Sequence, residues 1–134
     1  MRLDGCNEMT MTVSVPKVIL EMILESAKHL HPKETILLLR GKSSKSVITI
    51  SEIIIPPLST YGQSFSAFQS HMLPMDFSIM GAAHSHPSGN PTPSSQDLNH
   101  SMGKILLIVA YPYEGKDNAV VYDRNGERLT LEVT

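Results

Sequence analysis

The chain has 134 residues, of which 41 % are hydrophobic, and this suits a single domain spanning residues 1–134 with a buried core. Its net charge of −2 and its pI near 6.3 give no reason to expect nucleic acid or an anionic membrane as a partner. No run approaches the ~20 apolar residues of a membrane span, and the N-terminal residues lack the apolar core of a signal peptide. The single cysteine, Cys6, excludes an internal disulfide, so we expect a soluble cytoplasmic protein.

The N-terminal segment predicts a strand followed by a helix. Residues Thr10–Val15 alternate polar and apolar side chains with β-branched character, which predicts a short strand. Pro16 suits the first turn of a helix, and apolar residues then recur on one helical face as far as about His31. Because proline cannot continue a helix, we expect the helix to end before Pro32.

Two strands joined by a hairpin are predicted next. The short apolar run Thr35–Leu39 predicts a strand that is closed by Gly41. The β-rich segment Val47–Ile55 stops at two consecutive prolines and predicts the following strand, and the polar segment Lys42–Ser46 predicts the hairpin connection between them. Further along the chain, Ser64–Phe68 alternates like another strand.

The C-terminal half predicts strands with a helix between them. Segment 79–84 combines apolar and small residues, as expected for a buried strand with close backbone approach, and a helix is predicted over Ser94–Met102. The continuous apolar run Ile105–Ala110 predicts a central strand. An Asn-Gly turn signal predicts a hairpin between Ala119–Tyr122 and Leu129–Val133. The elements together predict an α/β or α+β layer fold, in which helices pack against a mixed sheet.

In the C-terminal half of the chain, a pair of histidines and a carboxylate flank a predicted loop. His84 and His86 lie two residues apart at the end of a predicted strand, and Asp97 follows a loop rich in Pro, Gly, Ser and Asn. Since residues two apart on a strand share a face, the imidazoles can hold one ion, and the loop can return the carboxylate to them. Three such ligands leave a fourth position for water, whose pKa zinc can lower to around 7. The pattern therefore predicts a hydrolytic zinc site.

Ser94 precedes Asp97 by one helical turn, and two interpretations of this spacing stay open. In a hydrolytic site, the serine hydroxyl is a candidate donor to the oxyanion that forms in the transition state. The same Ser-x-x-Asp spacing also fits an ordinary capping box, in which the two side chains satisfy free amides at the start of a helix. Hydrolysis further needs a base that takes a proton from water and delivers it to the leaving amine.

The segment 84–97 reads His-Ser-His-Pro, six residues, then Ser-x-x-Asp, and it resembles the signature of the JAMM, or MPN-plus, metalloproteases. These are zinc isopeptidases that remove ubiquitin or ubiquitin-like proteins. The whole chain, from the first helix to the last hairpin, resembles the small archaeal single-domain members, with further matches at His31–Glu34, Met72–Pro74 and Val109–Tyr113. The resemblance implies a cytidine-deaminase-like fold, in which a mixed, curved sheet is flanked by helices.

Position by position, the resemblance implies that His84, His86 and Asp97 hold one zinc ion per chain, with a bound water. Ser94 matches the serine that stabilises the oxyanion, and Glu34 matches the upstream glutamate that acts as general base and acid. Composition alone does not single out this glutamate, because a glutamate after Pro-Lys at the start of a strand is usually a solvated surface residue.

Several other polar residues receive weaker interpretations. Glu52, inside a predicted strand, is the rival to Glu34 by composition, but it lacks the flanking His-Pro-x-Glu pattern. His29 and His31 close the first helix, where an imidazole can meet the carbonyl end. The remaining groups are His71, which is close enough in the chain to line the cleft, His100, which is expected in solvent, and Cys6, which is expected to be a bystander.

The resemblance implies hydrolysis of the bond between the C-terminal glycine of a ubiquitin-like modifier and a lysine of a target protein. An extended Gly-Gly tail gains most by adding as a strand to an exposed sheet edge. The candidate edge is Ser64–Gln69, with Phe65, Ser66, Ala67 and Phe68 as the substrate-binding residues. Two alternatives stay open: a non-enzymatic scaffold of the same fold, and a metallohydrolase that processes the C-terminus of a sulfur-carrier protein.

Overall fold

The computed structural model describes residues 11–55, 77–99 and 103–134. The elements are β1 (Thr12–Val15), α1 (Lys17–Leu30), β2 (Ile36–Ser43), β3 (Val47–Ile54), β4 (Ile79–His86), α2 (Ser95–Asn99), β5 (Ile105–Ala110), a short 3-10 helix (Lys116–Asn118), β6 (Ala119–Asp123) and β7 (Arg128–Val133). The predicted strand near Ser64–Gln69 lies outside the described residues. In the described ranges, no helix combines the length and the hydropathy that a membrane span requires.

The described strands form one mixed sheet that closes on itself, in the order β1-β3-β2-β4-β5-β6-β7. β1 runs parallel to both β3 and β7, and β4 runs parallel to β5, while the other neighbours are antiparallel. The sequence predicted a mixed sheet, but not its closure. Closure occurs because four-residue β1 pairs with the two strands that would otherwise be edges, with Val47–Thr49 of β3 on one side and Thr130–Val133 of β7 on the other.

α1 covers one face of the sheet and α2 lies against the other. The apolar face predicted for α1 is buried in part: Ile19, Ile23 and Ala27 join one core with strand residues such as Leu107, whereas Val18 and Met22 are exposed, and Leu20 and Leu24 are buried instead. Residues of the opposite parity, such as Leu106 and Ile108, form a separate cluster against which Leu98 of α2 packs. Side chains two apart on one regular strand therefore share a face of the sheet.

Gly41 corrects one predicted boundary. It does not close β2 but lies inside it, where the pairing with β3 shifts register between Arg40 and Gly41. A Cβ at this position would overlap the backbone carbonyl of Thr49 on the neighbouring strand, so glycine is needed for the close approach. The strand continues to Ser43 because glycine here fits a bulge rather than a turn.

Gly81 gives a prediction about stability. A Cβ at Gly81 would overlap the backbone carbonyl of Ile105, so Gly81→Ala must push β4 away from β5. We expect a loss of about 1–3 kcal/mol in the free energy of unfolding, as for other overpacked sites. Urea unfolding followed by circular dichroism measures this loss. Gly115→Ala is the matched control, because nothing lies within 4 Å of its Cβ position, and an unchanged midpoint in Gly81→Ala would contradict the prediction.

Candidate metal centre

β4 presents two imidazoles on the sheet face opposite α1. His84 pairs with Ile36 on β2 and with Ile108 on β5, so it belongs to the central part of the sheet. His86 follows two residues later at the end of the strand, where its neighbour on β5 is Ala110. Because residues two apart share a face, both rings point to the side where α2 lies.

α2 brings the carboxylate of Asp97 to these rings. Its Oδ1 lies 3.4 Å from Nδ1 of His84, and its Oδ2 lies 3.2 Å from Nε2 of His86. The helix is held in place because Leu98 packs on the sheet. The loop that precedes the helix is held because the hydroxyl of Tyr122 donates to the carbonyl of Pro91 at 2.8 Å. The loop predicted to return Asp97 to the histidines does so.

The ring of His86 is oriented by a backbone carbonyl in the same loop. Its Nδ1 lies 2.9 Å from the carbonyl oxygen of Asn90. Since a carbonyl can only accept a hydrogen bond, Nδ1 carries a proton, and Nε2 is the ring nitrogen that faces Asp97. A hydrogen bond from the outer nitrogen to a carbonyl is the usual arrangement for a metal-ligating histidine.

The electrostatics of the cluster favour an ionised carboxylate. Burial opposes ionisation of Asp97, but its contacts with His84 and His86 outweigh this effect and hold the pKa of the carboxyl well below its usual range. The hydrogen bond with Asp97 raises the pKa of His86, against the lowering effect of burial. The carboxylate is thus available as a ligand at neutral pH, whereas a metal has to compete with protons for His86.

The donor atoms fit a zinc ion in chemical identity. Within residues 11–55, 77–99 and 103–134, no three His, Cys, Asp or Glu side chains are arranged as a ready-made metal site. His84 and His86 each face a different oxygen of Asp97, so a metal would replace these contacts as the three side chains turn towards it.

The structure confirms one of the two interpretations of the Ser94–Asp97 pair, the capping box. The amide of Asp97 donates to Oγ of Ser94 at 3.0 Å, and the amide of Ser94 donates to Oδ2 of Asp97 at 2.9 Å. This reciprocal pair is a capping box at the start of α2. Because the cap uses a lone pair of the hydroxyl, the proton of Ser94 is still available for a hydrogen bond to another group.

Glu34 lies near the same centre, two residues before the start of β2. Ile36 pairs with His84, and the amide of Ser85 donates to the carbonyl of Thr35 at 3.0 Å. Glu34 precedes β2 and has no ladder pair, but one further step of this register would bring it opposite His86. Glu34 is exposed, and its charge contributes to the raised pKa of His86.

Glu52 lies elsewhere. It is on β3, which is separated from β4 by β2. There it pairs with Arg40, whose Nη1 donates to Oε1 of Glu52 at 3.0 Å. The structure therefore brings Glu34, and not Glu52, to the histidines.

Aromatic residues border the centre, and the sequence interpretation assigned them no role. His31 was expected to meet the carbonyl end of α1, but its ring stacks on Tyr111 with centroids 4.6 Å apart and also contacts Tyr113 edge-on at 5.8 Å. Tyr111 adjoins the centre because its amide donates to the carbonyl of His86. The sequence did contain a signal for this contact. The segments His31–Glu34 and Val109–Tyr113 were both matched to the family, but nothing in the sequence indicated that their aromatic side chains would touch. The candidates that lie outside the described residues are Cys6, Phe65, Ser66, Ala67, Phe68, His71 and His100.

Comparison with known proteins shows the family to which the chain belongs. Residues 16–122 match the family of prokaryotic homologues of the JAB domain. A probable metalloprotease of Haloferax volcanii is 32 % identical over 129 residues, which cover 90 % of this chain and 79 % of the relative. The crystal structure of a JAB1/MPN domain protein from Archaeoglobus fulgidus is 37 % identical, with a TM-score of 0.65 over 92 % of this chain and 99 % of that one.

A second solved structure, described as a metalloprotease-like zinc site of the proteasome and signalosome named JAMM, is 36 % identical. Its TM-score is 0.62, and the match covers 93 % of this chain and 98 % of that one. The family match extends over most of the chain, and the histidines and the carboxylate that meet in the fold lie inside the matched range. The chain belongs to the JAMM/MPN metalloprotease-like family, as a prokaryotic homologue of the JAB domain.

Proposed function

We propose that the protein is a zinc-dependent isopeptidase, which hydrolyses the bond between the C-terminal glycine of a ubiquitin-like modifier and a lysine of a target protein. Membership of a metalloprotease-like family supports the hydrolytic part of this proposal. The donor set of His84, His86 and Asp97 supports the metal, because two imidazoles and a carboxylate are a common ligand set of a catalytic zinc.

Each residue of the centre has a chemical task in this reaction. Zinc, when held by His84, His86 and Asp97, supplies Lewis acidity that lowers the pKa of water and polarises the scissile carbonyl. Glu34 accepts the proton of the attacking water and delivers it to the nitrogen of the leaving lysine amine. The hydroxyl of Ser94, whose proton the capping box leaves available, donates a hydrogen bond to the oxygen that becomes negatively charged.

The position of Glu34 is the observation that carries the proposal. A scaffold that only binds partners needs no carboxylate beside the two imidazoles. Glu34 is solvent-accessible and lies two residues before Ile36, which pairs with His84, and its charge acts on His86. Solvent access suits a base that exchanges protons with water and with an incoming amine.

The substrate class is proposed from the chemistry of an extended tail. A tail that ends in Gly-Gly can lie along the segment that contains Phe65, Ser66, Ala67 and Phe68, if this segment offers a strand edge. Glycines have no side chain to clash where the chain enters a narrow catalytic centre. A ubiquitin-like or sulfur-carrier protein with such a tail is therefore the proposed partner, and its lysine conjugates are the proposed substrates.

The test compares three substrates with the zinc-loaded protein. The first is a ubiquitin-like protein whose Gly-Gly terminus is joined to a lysine ε-amine, the second carries Leu-Leu in place of Gly-Gly, and the third is a linear fusion. We expect cleavage of the first substrate only, with a free glycine carboxylate identified by mass spectrometry, and loss of activity with a chelator. Equal cleavage of the Leu-Leu conjugate would contradict the proposed specificity. Cleavage of the linear fusion alone would favour processing of a sulfur-carrier terminus, and no cleavage with one zinc bound would favour the scaffold.

A further inference from the structure

Three buried hydroxyls meet on the far side of the sheet from the candidate metal centre. Ser85 lies between His84 and His86, so its side chain points to the face covered by α1. Ser85 and Tyr113 are each 1 % exposed and Thr35 is 3 % exposed. A serine is unusual at this position, because the alternate residues of β4 on this face pack into the apolar core.

Ser85 completes the last pair of the β2–β4 ladder with its side chain. The amide of Ser85 donates to the carbonyl of Thr35 at 3.0 Å, as in an ordinary antiparallel pair. The amide of Thr35 donates at 2.7 Å to Oγ of Ser85, instead of to a strand carbonyl. The hydroxyl therefore extends the register by one pair beyond Ile36, where β2 begins.

The other hydroxyls of the group do not share this task. Within the described residues, Oγ1 of Thr35 and the hydroxyl of Tyr113 are buried and have no hydrogen-bond partner of good geometry. Burial raises the pKa of Tyr113, although Ser85 is near enough to act in the opposite direction. Ser85 is thus the side chain that satisfies the buried amide of Thr35, and an unsatisfied buried amide is costly.

We infer that Ser85 is a positioning residue, whose hydroxyl holds the backbone of Thr35 so that Glu34 stands opposite His86. Glu34 precedes the residue held by Ser85, and it has no ladder pairing of its own in β2. A loss of this hydrogen bond frees the segment before β2 without removing a donor of the metal centre. The inference rests on the proposed function, since it assigns to Glu34 the role of base.

The test uses Ser85→Ala, with Ser85→Thr as the variant that keeps the hydroxyl. We expect Ser85→Ala to retain one zinc per chain and to exchange the proton of the Thr35 amide faster in NMR hydrogen exchange. Because proton transfer is sensitive to geometry, we also expect kcat to fall at least about tenfold, while KM changes by less than about threefold. Ser85→Thr should restore most of the loss. Ile50→Val, in the buried part of β3, supplies a control that lowers stability without touching this pair.

The results separate the positioning role of Ser85 from the proposed function of the protein. If Ser85→Ala has a kcat within twofold of the unmodified protein, or loses no more than Ile50→Val, the positioning role is wrong. Loss of zinc together with activity would assign Ser85 to the support of the histidines, and it would also overturn the inference. If the unmodified protein cleaves no conjugate, the proposed function fails. Hydrogen exchange of the Thr35 amide in Ser85→Ala then still decides whether Ser85 holds this part of the backbone. Should Ser85→Ala not fold, Ser85→Cys takes its place, because a thiol is a weaker acceptor of similar size.

Discussion

His86→Ala is expected to lose zinc binding. The substitution leaves two of the three donor side chains and also removes the ring that Asn90 orients through its carbonyl. Removal of an outer partner of a metal ligand typically costs 10–100-fold in affinity, so we expect the loss of a ligand itself to cost at least about 100-fold. Competition with a chromophoric chelator measures the affinity, and metal analysis of the purified protein measures the stoichiometry.

His29→Ala is the matched control for this experiment. It removes an exposed histidine from the last turn of α1, away from the donor set. We expect it to bind one zinc per chain with unchanged affinity and to cleave the conjugate as the unmodified protein does. Stoichiometric, tight zinc binding by His86→Ala would show that the ion is held elsewhere, and an unmodified protein without stoichiometric zinc would remove the basis of the proposed function.

Glu34→Gln is expected to keep the fold and the zinc but to lose most of the activity. The amide has the shape of the carboxylate but cannot accept a proton at neutral pH. Since general acid–base catalysis contributes roughly 10² to 10⁴ in rate, we expect kcat to fall by about that factor. Single-turnover cleavage of the Gly-Gly conjugate measures the rate, and metal analysis of the same sample shows that zinc is retained.

Glu52→Gln tests the rival base under the same conditions. It breaks the ion pair with Arg40, which is partly exposed and therefore contributes little to stability. We expect full activity, because this carboxylate lies on β3 and not beside the histidines. Full activity in Glu34→Gln, or an inactive Glu52→Gln that retains zinc, would move the catalytic role away from Glu34.

Much of the local structure could be predicted from the sequence, because it depends on the spacing of residues that are close in the chain. The apolar period of α1, the continuous apolar run of β5 and the Asn-Gly turn between β6 and β7 are all such local patterns, and each element forms within a residue or two of its predicted ends. The spacing of His84, His86 and Asp97 is local as well, and it sufficed to propose a metal centre before any fold was known.

The tertiary structure alone decided the features that depend on pairing between distant segments. The closure of the sheet by β1, the place of Gly41 inside β2 and the position of Glu34 near His86 all depend on strand pairing, which no local pattern specifies. The same is true of the Asn90 carbonyl that orients His86 and of the Ser85 hydroxyl that holds Thr35. The sequence determined which groups with catalytic chemistry are present, whereas the contacts between strands and loops decided which of them meet, because a hydrogen bond depends on positions that only the folded chain supplies.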